Sequence, residues 1–443
     1  MVNNSSRLVH WIILPGFAIL IFCVAVTGCT SSEPSSKLVE INIEANVLNV
    51  KPQYISDFDC DLRYVPLKGN SIQLRTIILT DFYKDFMLVT DRFNCLLCDL
   101  QGNMIAKIGN KGKGPGEYFL IKSMRFGPQG QIYLQETWTI HEYDRAGNFI
   151  RDWKPEVNPE RSNTYRGGEM SSWAPFNDSL FIGQVCNDSG QEKYKAVFFN
   201  LEGKTIQAEP NYVFLNKKQF YYSSSNADAD IYRFGEQIHF KEYHSDTLFV
   251  VNDQFGFVPL YYFNLGKYAL TKEVRELPMQ EMTKYTQENC IYIRDVFETR
   301  QFLFLNCSFG DHTPARRSEP VNYPNAFGPP AISWYYPVGM LGVYNKSTKE
   351  LVFAEPVKSE DRMTNWGLKN DYDGGANFHP KVYVNDSTLA MWVDAWELKL
   401  HISSRDFKNS SPKYPEKKRV LEQVAAGLSD NDNPVLILCT FKK

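Results

Sequence analysis

The chain has 443 residues, of which 43% are hydrophobic and 14% aromatic, and its formal net charge is −3. This high fraction of hydrophobic residues excludes a disordered chain. The slightly acidic balance leaves no basic footprint and argues against nucleic acid as a partner.

The N-terminus has the features of a targeting sequence. Arg7 precedes an apolar run, Trp11–Val26, which is shorter than the roughly 20 residues that span a bilayer. The run ends in Val-Thr-Gly-Cys at Cys29, which resembles the bacterial lipobox. This resemblance implies cleavage before Cys29 and acylation of that residue. We therefore predict a signal peptide over residues 1–28, a lipid anchor at Cys29 and a polar tether over residues 29–37.

The predicted anchor defines a location and a first partner, the membrane. A single acyl chain binds a membrane only marginally, but the lipobox resemblance implies three chains and stable anchoring. The tether contains one acidic residue, Glu33, and lacks a pronounced surface-export tag. We predict an outer-membrane lipoprotein that faces the periplasm, with display at the cell surface as the alternative.

Seven cysteines follow Cys29, and their odd number and scattered positions do not indicate a disulfide framework. Cys95 and Cys98 have the spacing of a redox or zinc motif. They lie in a strand pattern, however, where positions i and i+3 point to opposite faces. We predict that both are buried packing residues.

The remaining sequence is a repeat of strand and turn. In each unit a polar pair opens the second strand, which is rich in β-branched and aromatic residues. Six such units can be counted, which indicates six repeats. The pairs are Lys84-Asp85, Gln129-Gly130, Asn177-Asp178, Gly235-Glu236, Thr299-Arg300 and Asn385-Asp386.

A second turn recurs between the third and fourth strands of the units. It begins with Asp or Asn, whose side chain caps the turn, and several copies contain a Gly that can adopt positive φ. Four short strands repeated six times predict an all-β fold, a six-bladed β-propeller of four-stranded antiparallel blades over residues 38–443. The turns are Asp99–Asn103, Asp144–Asn148, Asn200–Lys204, Asn252–Gly256 and Asn345–Lys349.

The ends of this region and two inserted segments complete the prediction. We expect one or both of Lys37–Ile43 and Pro434–Phe441 to complete the last blade and close the ring. Apolar periodicity predicts helices over Thr271–Glu288 and Glu416–Leu428. The apolar face of the second helix is predicted to contain Val420, Val424 and Leu428.

A glycine-rich segment, Ile108–Tyr118 (IGNKGKGPGEY), resembles the signature loop of the Bacteroidetes six-bladed β-propeller lipoproteins, in the NHL and TolB-like propeller group. The resemblance extends over about residues 50 to 443 and includes the lipobox. It implies a fold and a compartment, but no reaction, cofactor or catalytic residue. The supporting matches are Tyr64–Leu67, Asp246–Leu248, Phe263–Lys267, Asn370–Gly375 and Asp432–Leu436.

The glycines of this segment do not form a phosphate-binding motif. A dinucleotide site needs a strand, glycines and a helix N-terminus, and a P-loop needs Gly-Lys-Ser/Thr. Neither context is present. We expect the segment to cross from the outer strand of one blade to the inner strand of the next, with Glu117 bonding backbone amides.

Candidate metal ligands and catalytic residues are sparse. Asp371 and Asp373 resemble part of a calcium loop but lack its further oxygen ligands, and Asp228 with Asp230 forms a second carboxylate pair. No HExxH, HxH or GxSxG pattern occurs. We predict no cofactor and no metal, with calcium as the alternative, and assign no catalytic residue.

The best candidate for a binding edge is Phe309–Pro330. Its five prolines lower the ordering cost of binding, and its aromatics and arginines suit a sugar face or a protein hot spot. Blade order places it on the same disc face as the blade-to-blade crossings. Its side chains include His312, Arg316, Arg317, Tyr323 and Phe327, followed by Trp334, Tyr335 and Tyr336.

We therefore predict a binding or scaffolding protein of the cell envelope that presents its disc to a glycan or a protein partner, with the ligand-binding residues unassigned. The alternative is an envelope hydrolase or lyase acting on a sugar, lactone or polysaccharide at the central channel. Carboxylates or histidines with perturbed pKa values at the channel mouth would favour it, and an apolar plug there would not. A third interpretation, a structural partner of a transport complex, requires a large exposed apolar patch.

Overall fold

The computed structural model describes residues 38–157, 170–187, 189–217, 229–314, 321–323, 331–333, 339–356 and 366–442. Leu38–Lys443 forms one compact unit. The N-terminal segment contains β1 (Val39–Asn42), α1 (Ile43–Asn46), β2 (Val50–Lys51) and β3 (Cys60–Pro66), and these strands join three blades formed later in the chain.

The first three blades are four-stranded antiparallel meanders, and a short parallel pair, β8 and β9, lies between the first two. Blade one contains β4 (Leu79–Tyr83), β5 (Phe86–Thr90), β6 (Cys95–Asp99) and β7 (Met104–Lys107), and the connection after it contains β8 (Asn110–Lys111) and β9 (Glu117–Tyr118). Blade two contains β10 (Ser123–Phe126), β11 (Ile132–Glu136), β12 (Thr139–Tyr143) and β13 (Phe149–Trp153). Blade three contains β14 (Met170–Pro175), β15 (Leu180–Val185), β16 (Tyr194–Asn200) and β17 (Thr205–Pro210).

The last three blades carry helices in their connections. Blade four contains β18 (Ala229–Phe234), β19 (Gln237–Glu242), β20 (Thr247–Val251) and β21 (Phe257–Asn264), followed by α2 (Lys272–Arg275) and α3 (Met279–Asn289). Blade five contains β22 (Tyr292–Glu298), β23 (Phe302–Ser308), the inserted hairpin β24 (Val321–Tyr323) and β25 (Ala331–Ser333), then β26 (Met340–Asn345) and β27 (Leu351–Ala354). Blade six contains β28 (Val382–Asn385), β29 (Thr388–Val393), α4 (Ala395–Ser403), α5 (Arg405–Asn409), α6 (Pro415–Ala426) and β30 (Val435–Phe441).

The six inner strands, β4, β10, β14, β18, β22 and β28, contact one another in this order around a central channel, and β28 contacts β4 to close the circle. Because the strands of each blade alternate in direction, the turns after the first and third strands lie on one side of the disc. We call this side the turn face. The connections after the second strand and between blades lie on the opposite side, the loop face.

The predicted fold, a six-bladed β-propeller, is confirmed. Its ring closes in blade six, where an early strand pairs with the last strand. Pro434–Phe441 contributes to the last blade, as predicted: β30 is the third strand of blade six, and β3 pairs with it along its whole length as the outer strand. The predicted piece Lys37–Ile43 does not lie in this blade. Instead β1 adds a fifth, parallel strand to β21 of blade four, and β2 adds one to β27 of blade five.

Both predicted families of turns occur where the repeat placed them. In each of the three turns with glycine at the fourth position a capping side chain accepts backbone N–H groups, as Asp99 Oδ1 does from Gln101 and Asn103 at 2.9 and 2.8 Å. The glycines Gly102, Gly147 and Gly203 have φ between 82° and 86°. In blades four and five this conformation falls on non-glycine residues, Phe255 at 66° and Lys349 at 60°.

The helices were predicted in part. α2 and α3 lie in the predicted Thr271–Glu288 region, and α6 overlaps Glu416–Leu428. The buried face of α6 contains Leu421 and Ala425, whereas the predicted face residue Val420 is 52% exposed. Packing against α4 selects the buried face, and the sequence pattern does not predict α4 or α5.

The core consists of apolar layers between neighbouring blades. Cys95 packs in the layer between blades one and two, whereas Cys98 packs in the layer between blades six and one. The two thiols are buried and free and point to opposite faces of one strand, as predicted. No helix in the described parts of the chain has the length and apolarity needed to cross a bilayer.

Candidate functional site

Charged side chains lie in the inner strands, where the repeat would otherwise place apolar or small residues. Asp81 lies in β4, Arg125 in β10, Asp230 in β18 and Asp295 in β22. Inner strands of neighbouring blades belong to separate sheets, so their backbone groups do not bond to each other. Polar side chains can satisfy those groups.

Four hydrogen bonds do so around the ring, and each links two adjacent blades. A carboxylate accepts a backbone N–H in two of them, and a guanidinium donates to a carbonyl in the other two. The bonds are Phe126 N to Asp81 Oδ2 at 2.6 Å, Val296 N to Asp230 Oδ2 at 3.1 Å, Arg125 Nε to the Trp173 carbonyl at 3.0 Å, and Arg233 Nη2 to the Phe176 carbonyl at 2.8 Å.

The carboxyl groups of the channel are shifted toward the protonated form. Burial raises the pKa of Asp81, against the opposing effect of Arg125. Burial also raises the pKa of Asp230, and the neighbouring carboxylate of Asp295 adds to that increase. The pKa of Asp295 is raised by burial as well. A raised pKa extends the pH range in which a carboxyl group keeps its proton, a property that acid–base catalysis uses.

A buried lysine lies beside this pair. Lys241 faces Asp230 across β18 and β19, and burial lowers its pKa despite the nearby carboxylate. Its Nζ donates to the Glu242 carbonyl at 2.7 Å. Asp230, Asp295 and Lys241 therefore form a buried group of charged side chains at the contact between blades four and five.

A second buried charged cluster lies toward the turn face, around Glu298. His239 Nδ1 lies 2.9 Å from one carboxylate oxygen, and the Tyr232 hydroxyl donates to the same oxygen at 3.0 Å. Lys346 Nζ donates to the other oxygen at 2.5 Å. Burial opposes ionisation of Glu298, but these hydrogen bonds and the charges of His239 and Lys346 hold its pKa below the ordinary value.

Aromatic side chains narrow the channel at the turn face. The ring of Tyr383 in blade six lies 5.8 Å from Tyr232 and 6.4 Å from Phe234, both in blade four. Gly235 N also donates to Asp386 Oδ1 at 2.9 Å. Blades four and six therefore meet across the end of blade five, which limits access from this side.

A cleft beside this contact is small. It has a cavity volume of about 20 Å³, enough for one water molecule but not for an organic ligand. Its lining consists of Thr299, Arg300, Gln301, Asp386, Ser387, Phe441 and Lys442.

The two faces of the disc differ in the length of their connections. On the turn face the within-blade connections contain two to five residues. The loop face carries much longer segments, including residues 265–291 with α2 and α3, residues 309–339 with the β24–β25 hairpin, and residues 394–434 with α4, α5 and α6. The loop face therefore offers the larger and more varied surface.

The glycine-rich segment has the predicted role. It joins the outer strand β7 of blade one to the inner strand β10 of blade two. Gly114 N donates to Glu117 Oε2 at 2.8 Å, which is the predicted bond to a backbone amide. The buried Tyr118 hydroxyl donates to the Ile108 carbonyl at 3.1 Å and ties the two ends of the segment together.

The aspartates of the calcium-like sequence hold the N-terminal segment against blade six. Asp371 Oδ1 accepts from Ser56 N at 3.0 Å, and Asp373 Oδ1 accepts from Gly375 N at 2.9 Å and from the Tyr64 hydroxyl at 3.1 Å. Within the described residues, no three His, Cys, Asp or Glu side chains are grouped to hold a metal ion. Asp228 lies outside those residues.

The predicted binding edge is described only in part. His312 lies in a short 3₁₀ turn, and its ring packs against Tyr268 at 5.0 Å. The backbone of residues 321–323 forms β24. The predicted signal peptide, Cys29 and the tether lie outside the described residues, as do Arg316, Arg317, Phe327, Trp334, Tyr335 and Tyr336.

The channel charges were missed at the level of the sequence, although a pattern for them exists. Arg125 and Asp230 each interrupt a strand that the repeat marks as innermost. A charged residue at such a position is unusual, because strands disfavour Asp and the site is enclosed.

These observations define a β-propeller protein with charged side chains on its inner strands and long connections on its loop face. The chain belongs to the DUF4934 family, a domain of unknown function, whose model matches residues 38–440. A comparison with curated proteins finds no match.

The solved structures similar to this chain include three from Bacteroides. A protein of Bacteroides fragilis NCTC 9343, provisionally described as exported, has a TM-score of 0.64 and 16% identity, covering 92% of this chain and all of its own. A DUF4221 member from Bacteroides vulgatus has a TM-score of 0.43 and 11% identity, with 86% and 96% covered. A protein of unknown function from Bacteroides caccae has a TM-score of 0.34 and 9% identity, with 62% and 80% covered.

Proposed function

We propose that this protein is a lipid-anchored propeller of the bacterial cell envelope that binds a glycan or a protein partner through its loop face. The lipobox-like sequence ending at Cys29 supports the anchor. The provisional description of the Bacteroides fragilis protein as exported supports the compartment.

The contrast between the two faces carries the proposal. Long connections are confined to the loop face, and they expose large apolar side chains there. Tyr212 after blade three is 76% exposed, and Leu400 on α4 is 65% exposed. Trp396 lies one helical turn before Leu400 and is exposed as well. Exposed Trp and Tyr side chains on an ordered scaffold are common anchors of a binding surface.

A thermal-shift screen of the chain from Thr30 onward tests the binding function. The probes are calcium, plant and host glycans, peptidoglycan fragments and short peptides, followed by capture of partners from envelope extracts. Ligand at about one hundred times its dissociation constant adds roughly 2.7 kcal/mol, which corresponds to a few degrees for a chain of this size.

Two double variants locate the surface responsible for any binding found. Trp396→Ser/Leu400→Ser changes the loop face, whereas Ile105→Ser/Ile150→Ser changes exposed residues of outer strands on the rim. Loss of binding in the first pair alone supports the loop face. Equal loss in both pairs, or loss only in the rim pair, contradicts it.

The anchor has its own test. Cys29→Ala should prevent acylation and also cleavage before residue 29, so the variant should keep residues 1–28. Mass spectrometry of the mature N-terminus should find a lipid-modified Cys29. A wild-type chain that is unmodified and keeps residues 1–28 would contradict this part of the proposal.

The channel favours a second candidate function, a hydrolase or lyase acting on a sugar, lactone or polysaccharide. The observation behind it is the carboxyl pair Asp230 and Asp295 beside Lys241. Turnover of a glycan found in the screen should then fall in Asp295→Asn while its binding remains. Binding without turnover in the wild type contradicts the enzyme.

A further inference from the structure

Four side chains on the loop face form a cluster that we call the basic–aromatic platform: Arg75, Phe93, Lys111 and Phe119. The Arg75 guanidinium carbon lies 5.4 Å from the centroid of the Phe93 ring. Lys111 Nζ lies 5.2 Å from the same ring and 5.2 Å from the Phe119 ring. Three separate segments, the connections on either side of blade one and its turn after β5, therefore meet at one place.

The backbone beneath the platform is held by two carboxylates, the buried Asp91 and the partly exposed Glu136. Asp91, which is 6% exposed, accepts from Arg75 N at 3.3 Å through Oδ2 and from Phe93 N at 2.9 Å through Oδ1. Glu136 Oε1 accepts from Phe119 N at 2.7 Å. Because the attachment points are fixed, a ligand has little backbone to order on binding.

Phe119 is exposed although its surroundings are well packed. Its side chain is 61% exposed, whereas the preceding residue Tyr118 is fully buried. A large aromatic side chain held in solvent on a fixed backbone gains no burial from the fold itself. It is available to cover an apolar surface of a ligand.

The platform also brings together cationic side chains that form no salt bridge within the described residues, although the net charge of the chain is −3. Within the residues that the structure describes, Arg75 and Lys111 form no salt bridge, and neither does Arg92 beside Phe93. Arg92 holds a φ of 75°, and its carbonyl accepts from Ile121 N at 2.9 Å, which joins the turn to the glycine-rich connection. A bound anion would neutralise these cationic side chains.

We propose that the basic–aromatic platform binds a polysaccharide whose sugars carry carboxylates. A pyranose ring offers an apolar C–H face to an aromatic ring, and its carboxylate suits the guanidinium and ammonium groups that lie against the rings. Arg75 and Lys111 lie on the same Phe93 ring, so a polymer can engage both cations at once. This assignment rests on the proposed binding function and names its ligand class.

Isothermal titration calorimetry of the chain from Thr30 onward tests the assignment. The probes are oligomers of polygalacturonate, their methyl esters, which have the same sugars without the charges, and poly-L-glutamate, which has the charges without sugars. The test variant is Arg75→Gln/Lys111→Gln. The control is Lys84→Gln/Arg145→Gln, which removes two turn-face cations that also lie over aromatic rings, at 5.0 and 5.2 Å.

The uronate oligomer should bind, and its affinity should fall at least about tenfold in the test variant but less than about twofold in the control. Phe119→Ala should weaken binding about fivefold with an unchanged unfolding midpoint, because the side chain is exposed. The methyl ester and poly-L-glutamate should both bind at least about tenfold more weakly than the uronate.

Other results overturn the assignment. Absence of uronate binding, or equal loss in the test and control variants, removes it. Equal binding of poly-L-glutamate replaces the polysaccharide by an acidic protein segment. A wild-type chain that binds another glycan or a protein in the wider screen but no uronate rejects the assignment and leaves the proposed function intact.

Discussion

The two inner strands of blade four, β18 and β19, contact its two neighbours through opposite faces, and these two contacts have different chemistry. Farther out in blade four, residues such as Leu248 and Phe263 pack against blade five in an apolar layer. Ile231, Ile238 and Phe240 face blade three, where they join an apolar cluster that includes Phe176 and Phe198. The alternating positions face blade five and carry charged and polar groups. These positions are Asp230, Tyr232, His239 and Lys241.

The apolar contact stabilises the ring, whereas the charged contact contains the residues that could take part in acid–base chemistry. Phe198 packs against Phe176 at 5.0 Å and against Phe255 at 4.7 Å, so the contact with blade three gains from apolar burial. The contact with blade five buries Glu298 and Lys241, which costs desolvation that their partners offset only in part. Ring closure alone does not require those charges.

The largest effect is expected at the apolar contact. Phe198→Ala should lower the free energy of unfolding by about 3–5 kcal/mol, because it leaves a cavity in a fully packed layer. Urea denaturation measures the loss. Ile150→Ala, at a rim position that is 51% exposed, is the control and should change stability by less than about 0.5 kcal/mol. A loss below about 1 kcal/mol at Phe198 would mean that the layer rearranges to fill the space.

The next effect is expected at the charged contact. Glu298→Gln should cost about 3 kcal/mol, since it leaves His239 and Lys346 facing a neutral group in a buried site. Glu355→Gln removes an exposed salt bridge to Lys369 and should cost less than about 1 kcal/mol. Equal costs for the two variants would show that burial of Glu298 adds nothing.

The same residue predicts a pH dependence. The pKa of Glu298 is lower in the folded chain than its ordinary value of 4.5. The ionised carboxylate therefore stabilises the fold above that value, and the contribution is lost as the pH falls through the folded-state pKa. The stability gap between wild type and Glu298→Gln should be widest near neutral pH and should narrow below 4.5. A stability difference that widens as the pH falls would contradict this prediction.

The smallest net effect is expected when two facing charges are removed together. Lys241→Met alone should destabilise the fold by about 2 kcal/mol, because Asp230 loses its nearby cation. The double variant Asp230→Asn/Lys241→Met should lie within about 1 kcal/mol of the wild type. The coupling is measured by a double-mutant cycle in urea. Additive losses would show that the two groups do not interact.

The repeat was predictable because its determinants are local. Turns such as Gln129-Gly130 and Asp144–Asn148 specify their own geometry through a capping side chain or a glycine, and they recur at regular spacing. Partner choice between distant strands has no such determinant. Nothing within Val39–Asn42 distinguishes parallel pairing with β21 from pairing with β30, and β3 occupies the latter position through a longer register.

The candidate sites were less predictable for the same reason. Asp81 and Arg125 stand out only after their strands are known to be innermost. The platform joins Arg75, Phe93 and Lys111, which no motif connects in the sequence. Helix α4 was missed because Trp396 and Leu400 face outward and obscure the apolar period of its buried side.

Blade six draws its outer strand from before blade one and its third strand from after all the others. A ribosome or an export channel delivers β3 early, and β3 then waits for β30 while blades one to five emerge. Every shorter nascent chain therefore leaves β3 without its antiparallel partner and the ring without its closing contact. The moment at which the ring can close is thus set by delivery of β30, and not by the folding of any single blade.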